Sequence, residues 1–370
     1  LRGNNRRLEP FERVCVMVKV SVSETKALPK LDELRACIPR HCFEKSLPVS
    51  LAYMVWDFFV IWALYQVQPL FELLSIPGMV FWYFLVGMMG FSIFVVGHDC
   101  GHTTFSNYPL INDFFGNILH GMLFAPYWPW QKSHRQHHTY TSHLKKDQGH
   151  PWLVEEDNKN FSQYESFYAY NVSTAIIRWP MYLIAGVTDG SHFWPYSRMF
   201  PTKADRIRCV ISVSFCFAFA IAAFFYWGSF GQWLKFYVLP VLAQGFWLTM
   251  VTYLQHQEDD IEVFEDGTWT YVKGQLQTVD RPYGFYIDEL MHHITDGHVA
   301  HHLFFTQIPH YHLMDATHAL QKKLEPLGIY RKTDSFDFLR QFALLNHRLR
   351  YLVRAGVGMM RYHQEEKKIE

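Results

Sequence analysis

Eight histidines gather in three short motifs: His98-Asp-Cys-Gly-His102, His134-Arg-Gln-His137-His138 and His298-Val-Ala-His301-His302. Crowded imidazoles repel one another once protonated. A metal ion removes that conflict, because it binds the neutral ring through its lone pair and keeps the proton off. The spacing suits helices: residues at i, i+3 and i+4 share a face, with Cβ atoms about 5–6 Å apart. Each motif can therefore aim two or three rings at one point, and three such helices can enclose more than one ion. A single zinc on three histidines leaves five of these rings idle. Carboxylate-bridged di-iron sites use two Glu-x-x-His pairs, and one such pair occurs, Glu289-Leu-Met-His292. Solvated surface histidines account for one cluster but poorly for three with matching spacing. A site for two ions built from histidine fits the number of rings.

The elements that must position these rings read as membrane helices. Of 370 residues, 49% are hydrophobic, 18% aromatic and 18% charged, against the usual ~25% charged in a soluble domain. Mean hydropathy is only -0.07, so a substantial aqueous part is expected beside the apolar one. Stretches 51–71, 79–97, 209–230 and 236–254 each approach the ~20 residues that cross ~30 Å of hydrocarbon as a helix. They pair into two hairpins through Ser75-Ile-Pro-Gly78 and Gly228-Ser-Phe-Gly231. Four crossings return the chain to its starting side, which brings all three motifs to one face. The far turns carry only Lys235 as a basic residue, so the motif face is expected to be cytosolic. Segments Ile111–Trp130 and Phe167–Val187 are broken by glycine, proline or Arg178, and are expected to lie in the interface. The resulting architecture is an all-α integral membrane protein: a cytosolic arm (1–48), a four-span domain with a helical cap carrying the metal site (49–330) and a cytosolic tail (331–370). The six cysteines lack paired spacing and are expected as free thiols. Formal net charge is +0, which gives no indication of nucleic acid as a partner.

Further phrases adjoin the motifs: Pro126-Tyr-Trp-Pro-Trp-Gln-Lys-Ser-His134, Thr252-Tyr-Leu-Gln-His256, Thr278-Val-Asp-Arg281, His292-His-Ile-Thr-Asp-Gly-His298 and Ile308-Pro-His-Tyr-His312. With these the chain, from about Leu34 to Leu327, resembles the membrane fatty acid desaturases, and within them the methyl-end Δ12 and ω-3 group of nematode type. The resemblance implies two irons held mostly by histidine, with His98, His102, His134, His137, His138, His298, His301 and His302 as ligands. A ninth ligand at the end of the last span would be His256, with His292 as the competitor. The resemblance also implies O2 as co-substrate, a fatty acyl substrate on CoA or phospholipid, and electrons from cytochrome b5 and its NADH-dependent reductase. No haem, flavin or nicotinamide motif appears in the chain itself.

On that reading, removal of two vicinal hydrogens leaves a cis double bond toward the methyl end of the chain, at the Δ12 or ω-3 position. Neighbouring methylenes are chemically alike, so position must come from how far the acyl chain enters a tunnel. Burial contributes ~0.8 kcal/mol per CH2. Hydroxylases and epoxygenases on the same iron scaffold are the alternative, and a membrane metal carrier is a remote one. His120, His143 and His150 are expected to pack or to support ligands. His310, His312, Asp99 and Asp296 are candidates to orient ligand rings. The ending Lys367-Lys-Ile-Glu370 resembles an endoplasmic-reticulum retrieval signal.

Overall fold

The computed structural model describes residues 22, 28–186, 188–333 and 336–364. Most of the N-terminal arm, Cys15 and the Lys367–Glu370 ending lie outside them.

Four helices are long and apolar enough to cross a membrane: Leu47–Gln66, Ser75–His102, Lys203–Trp227 and Phe230–His256. They fall where the four apolar stretches are expected, but each has different bounds. The second is the instructive case. Its 28 residues extend about 42 Å at 1.5 Å per residue, against ~30 Å of hydrocarbon. The first histidine motif is therefore the last turn of this span and not a separate element beyond it. Thr103, in the left-handed conformation at φ 64°, ends the helix. The fourth span contains a π-helical turn at Leu234–Val238 and finishes at His256.

The second and fourth spans touch along their length. A Cβ at Gly87 would lie 2.6 Å from the Ala243 carbonyl carbon, so only glycine permits this approach. Indole donors tie the fourth span to the second and the second to the first. Trp247 Nε1 donates to Phe84 O at 2.8 Å and Trp82 Nε1 to Leu64 O at 2.8 Å. Both rings are fully buried, so each N–H needs the acceptor it finds.

The interfacial segments differ in detail from expectation. Ile111–Trp130 is not one helix: Pro109–Met122 and Tyr127–Tyr140 are separate, and the latter carries the second motif. The Phe167–Val187 region ends in a helix, Ala175–Ala185, too short to cross. Its Trp179 packs over Gly245 of the fourth span.

The segment after residue 330 is not a loose tail. Helix Phe338–Arg348 sets Phe342 against Phe246 and Tyr253 of the fourth span. Strands β1 (Val263–Phe264), β2 (Leu352–Gly356) and β3 (Met359–Tyr362) then form an antiparallel sheet in the order β1-β3-β2. The described cysteines, Cys37, Cys42, Cys100, Cys209 and Cys216, are free thiols.

Candidate metal centre

The three motifs come together where the second and fourth spans end, in two groups of rings. His98, His102, His134, His138 and His301 form one, and His137, His256 and His302 the other. Within each group the potential donor atoms lie within 4.8 Å of one another. His298 adjoins the second group, its Nε2 3.1 Å from His256 Nε2. Other Nε2–Nε2 separations are 3.1 Å for His98–His102, 3.0 Å for His134–His138, 3.2 Å for His138–His301 and 3.3 Å for His137–His256.

Hydrogen bonds on the outer side of the rings fix which nitrogen faces inward. His137 Nδ1 donates to Asp147 Oδ1 at 2.7 Å, His298 Nδ1 to the Ile294 carbonyl at 3.1 Å and His302 Nδ1 to Gln275 Oε1 at 3.0 Å. A neutral ring with its proton on Nδ1 presents a bare lone pair at Nε2. His137 and His298 both point such lone pairs at His256 Nε2, which can donate to only one of them. Burial keeps protons from resolving the conflict. It holds His134, His138, His301 and His302 well below the ordinary imidazole range, with neighbouring rings adding to the effect. Burial likewise pushes His298 down to about 3, reinforced by His137. Cations between the rings satisfy all these lone pairs at once. The spacing agrees: metal–nitrogen bonds of ~2.1 Å give adjacent ligands about 3 Å apart in an octahedral shell. The residues present therefore fit two transition-metal ions.

Polar residues whose part was not visible in the sequence position the two helix ends. Asp147, ten residues beyond His137, has a fully buried carboxylate and also accepts from Ser142 N. Gln275 spans two motifs, accepting from His302 and donating to His138 O at 2.7 Å. Arg281 lies buried at the end of the fourth span, donating to Leu254 O and Gln257 O and pairing with Glu258, where a cation suits the carbonyl end of a helix. Its neighbour Asp280 accepts from Val299 N at 2.8 Å, at the start of the third-motif helix His298–Leu303. The Thr278–Arg281 phrase thus braces two ring-bearing elements together.

Several candidates fall elsewhere. His292 stands apart from the rings: its Nε2 is 2.8 Å from Asp57 Oδ2 of the first span, and its backbone is left-handed at φ 58°. Asp296 faces His293, not His298. Asp99 holds His310, through its backbone N–H at 3.0 Å and Nδ1 at 2.9 Å. His310 therefore reaches the first motif and not the third, because the Pro309 turn folds back across the second span's end. His312 faces His41 at the surface. His120 stacks on Phe94, with centroids 4.2 Å apart, and fills the space over Gly97. His143 pairs with Asp266, and His150 accepts from Gln257.

Beside the rings lies a cavity of about 720 Å³, within the usual range for a ligand site. Much of its wall is apolar, with Phe91, Phe94, Trp179, Leu248 and Val251 among its lining. Arg178, Asn346 and Arg350 line a polar portion. His98, His134, His137, His256, His298, His301 and His302 line the wall as well. Leu349, which caps helix Phe338–Arg348, and Tyr362 of β3 also line it.

Residues 74–334 match the fatty acid desaturase family model. The chain is 45% identical to the Δ12 fatty acid desaturase fat-2 of Caenorhabditis elegans over 90% of its own length and 91% of the relative's. It is 44% identical to the omega-3 fatty acid desaturase fat-1 of the same organism, over 92% and 86%. An Arabidopsis thaliana relative, named acyl-lipid omega-3 desaturase (cytochrome b5), endoplasmic reticulum, is 36% identical over 80% and 76%.

Proposed function

The chain belongs to the fatty acid desaturase family, and on that premise we propose that it inserts a cis double bond toward the methyl end of an unsaturated acyl chain, at the Δ12 or ω-3 position. The observation that carries this reading is the apolar cavity running along a wall of converging imidazoles. Two irons are the proposed occupants of the ring groups. His98, His102, His134, His138 and His301 would hold one, and His137, His256, His298 and His302 the other. When bound, the irons supply the O2 chemistry that removes two vicinal hydrogens, with the oxygen leaving as water.

The protein's own part is binding and register. Phe91, Phe94, Trp179 and Leu248 exclude water and receive the methyl end, because an acyl chain gains ~0.8 kcal/mol per buried CH2. The polar portion at Arg178, Asn346 and Arg350 suits the carboxyl-derived end of the substrate. How deep the chain runs then decides which methylenes face the rings. Asp147, Gln275 and Asp280 hold the ring-bearing elements in place while substrate enters and leaves.

The electron donor is proposed to be cytochrome b5, which the Arabidopsis relative's name includes. The same relative supports an endoplasmic-reticulum membrane. The excess of basic residues on the ring-bearing side supports a cytosolic face for the centre.

Expression in yeast fed separately with oleate and linoleate tests the reading. Linoleate formed from oleate gives Δ12 action, and α-linolenate formed from linoleate gives ω-3 action. A hydroxy or epoxy acid with no new double bond would replace the desaturase reading by a hydroxylase or epoxygenase on the same scaffold.

A further inference from the structure

We propose that His41, His312 and Asp315 form a second, peripheral site for a zinc-class divalent cation, which clamps the segment before the first span to the helix behind the third histidine motif. The three residues come from separate elements. His41 lies in the turn Arg40–Phe43, His312 ends the turn His310–His312, and Asp315 sits in the first turn of helix Leu313–Leu324. Their potential donor atoms all lie within 4.8 Å of one another. His41 Nε2 is 2.8 Å from Asp315 Oδ2, and the two imidazoles meet edge to face with centroids 5.3 Å apart.

A plain ion pair between His41 and Asp315 leaves the approach of His312 unexplained. Two imidazoles and one carboxylate with an open side are the donor set of a three-ligand zinc site. The carboxylate offsets part of the cation's charge. Burial, together with the adjacent His41, holds the His312 ring below the ordinary imidazole range, which keeps it neutral and able to donate its lone pair. His41 and Asp315 line a groove together with Cys37, His318, Lys322 and Lys323.

The clamp has a structural consequence. Two residues before His312, His310 holds Asp99 beside the first motif. A cation on His312 would restrain the turn that makes this contact, from outside the iron centre.

The test is a zinc titration of the full-length, iron-loaded protein in detergent, with zinc and iron both counted by elemental analysis and the melting temperature recorded. The expected result is one zinc taken up with no loss of iron, and a higher melting temperature. H312A and D315N are each expected to weaken that zinc by more than ~100-fold, beyond the 10–100-fold typical of residues that only support a ligand. H318A is expected to stay within about twofold of the parent, as a control for the groove. H41Q serves if H312A does not fold. Zinc uptake matched by iron loss, or equal zinc affinity in H312A, D315N and the parent, overturns the site.

Discussion

The four spans divide into two kinds. In the second and fourth, 67% and 39% of the most apolar window is buried within the protein; in the first and third the figures are 11% and 22%. The buried pair ends in His98, His102 and His256 and walls the cavity. The exposed pair presents bulky aromatics outward, such as Trp56, Phe59 and Trp62, each more than half exposed. Hydropathy is similar in both kinds, because lipid and protein interior are equally apolar. What separates them is how closely a neighbouring span approaches over small residues. Gly87 and Gly90 let the fourth span approach the second, and Trp247 crosses to Phe84 O. The first span makes inward polar contacts as well: Ser50 donates to Phe105 O, Tyr65 to Phe236 O, Leu64 O accepts from Trp82, and Asp57 meets His292. A span that positions chemistry is thus recognised by how closely it is approached and not by how apolar it is.

Five substitutions break or sharpen this contrast. The largest effect is expected at the end of a buried span: His256→Ala should reduce product formation and iron retention by more than ~100-fold, since even outer partners cost 10–100-fold. His292→Ala, on a ring that pairs with the exposed first span, should leave iron stoichiometry unchanged. Iron analysis of both purified variants checks the pair, and iron loss in His292→Ala alone would reverse the ligand choice. Asp147→Asn leaves a weaker, neutral acceptor for His137 Nδ1 and should lower iron affinity by about 10–100-fold, read by competition with a chelator. Gly87→Ala places a methyl against the Ala243 backbone and should destabilise by about 1–3 kcal/mol, seen as a lower melting temperature in detergent. Trp62→Leu, on a lipid-facing position, should change stability by no more than ~0.5 kcal/mol in the same assay. Equal losses in Gly87→Ala and Trp62→Leu would erase the distinction between the two kinds of span.

Local patterns in the chain anticipated much of this. Four apolar helices and the helical i, i+3, i+4 ring spacing follow from short stretches of sequence, because both depend on periodicity within one element. The two turn signals fared differently: the chain does turn at Gly228, but Ser75–Gly78 is the first turn of the second span, and the chain turns just before it at Leu73 and Leu74. Errors began where one element met another. The apolar pattern puts the first motif beyond its span, because nothing local marks where hydrocarbon ends on a helix that continues through it. The sequence pattern reads the segment after residue 330 as a tail, since the β2–β3 hairpin gains its third strand only from β1, some ninety residues earlier. Asp99 and His310 each stand out in the sequence as candidates to orient a ligand ring, yet their contact with one another spans more than two hundred residues.

Sequence by itself settled the number and kind of ring-bearing helices, because residue type and spacing set which side chains share a helix face. Tertiary structure alone decided how the rings divide into two groups, that His256 and not His292 joins them, and which carboxylates and amides orient them. Those choices rest on distances between elements remote along the chain. Close packing fixes such distances, and no local pattern records them.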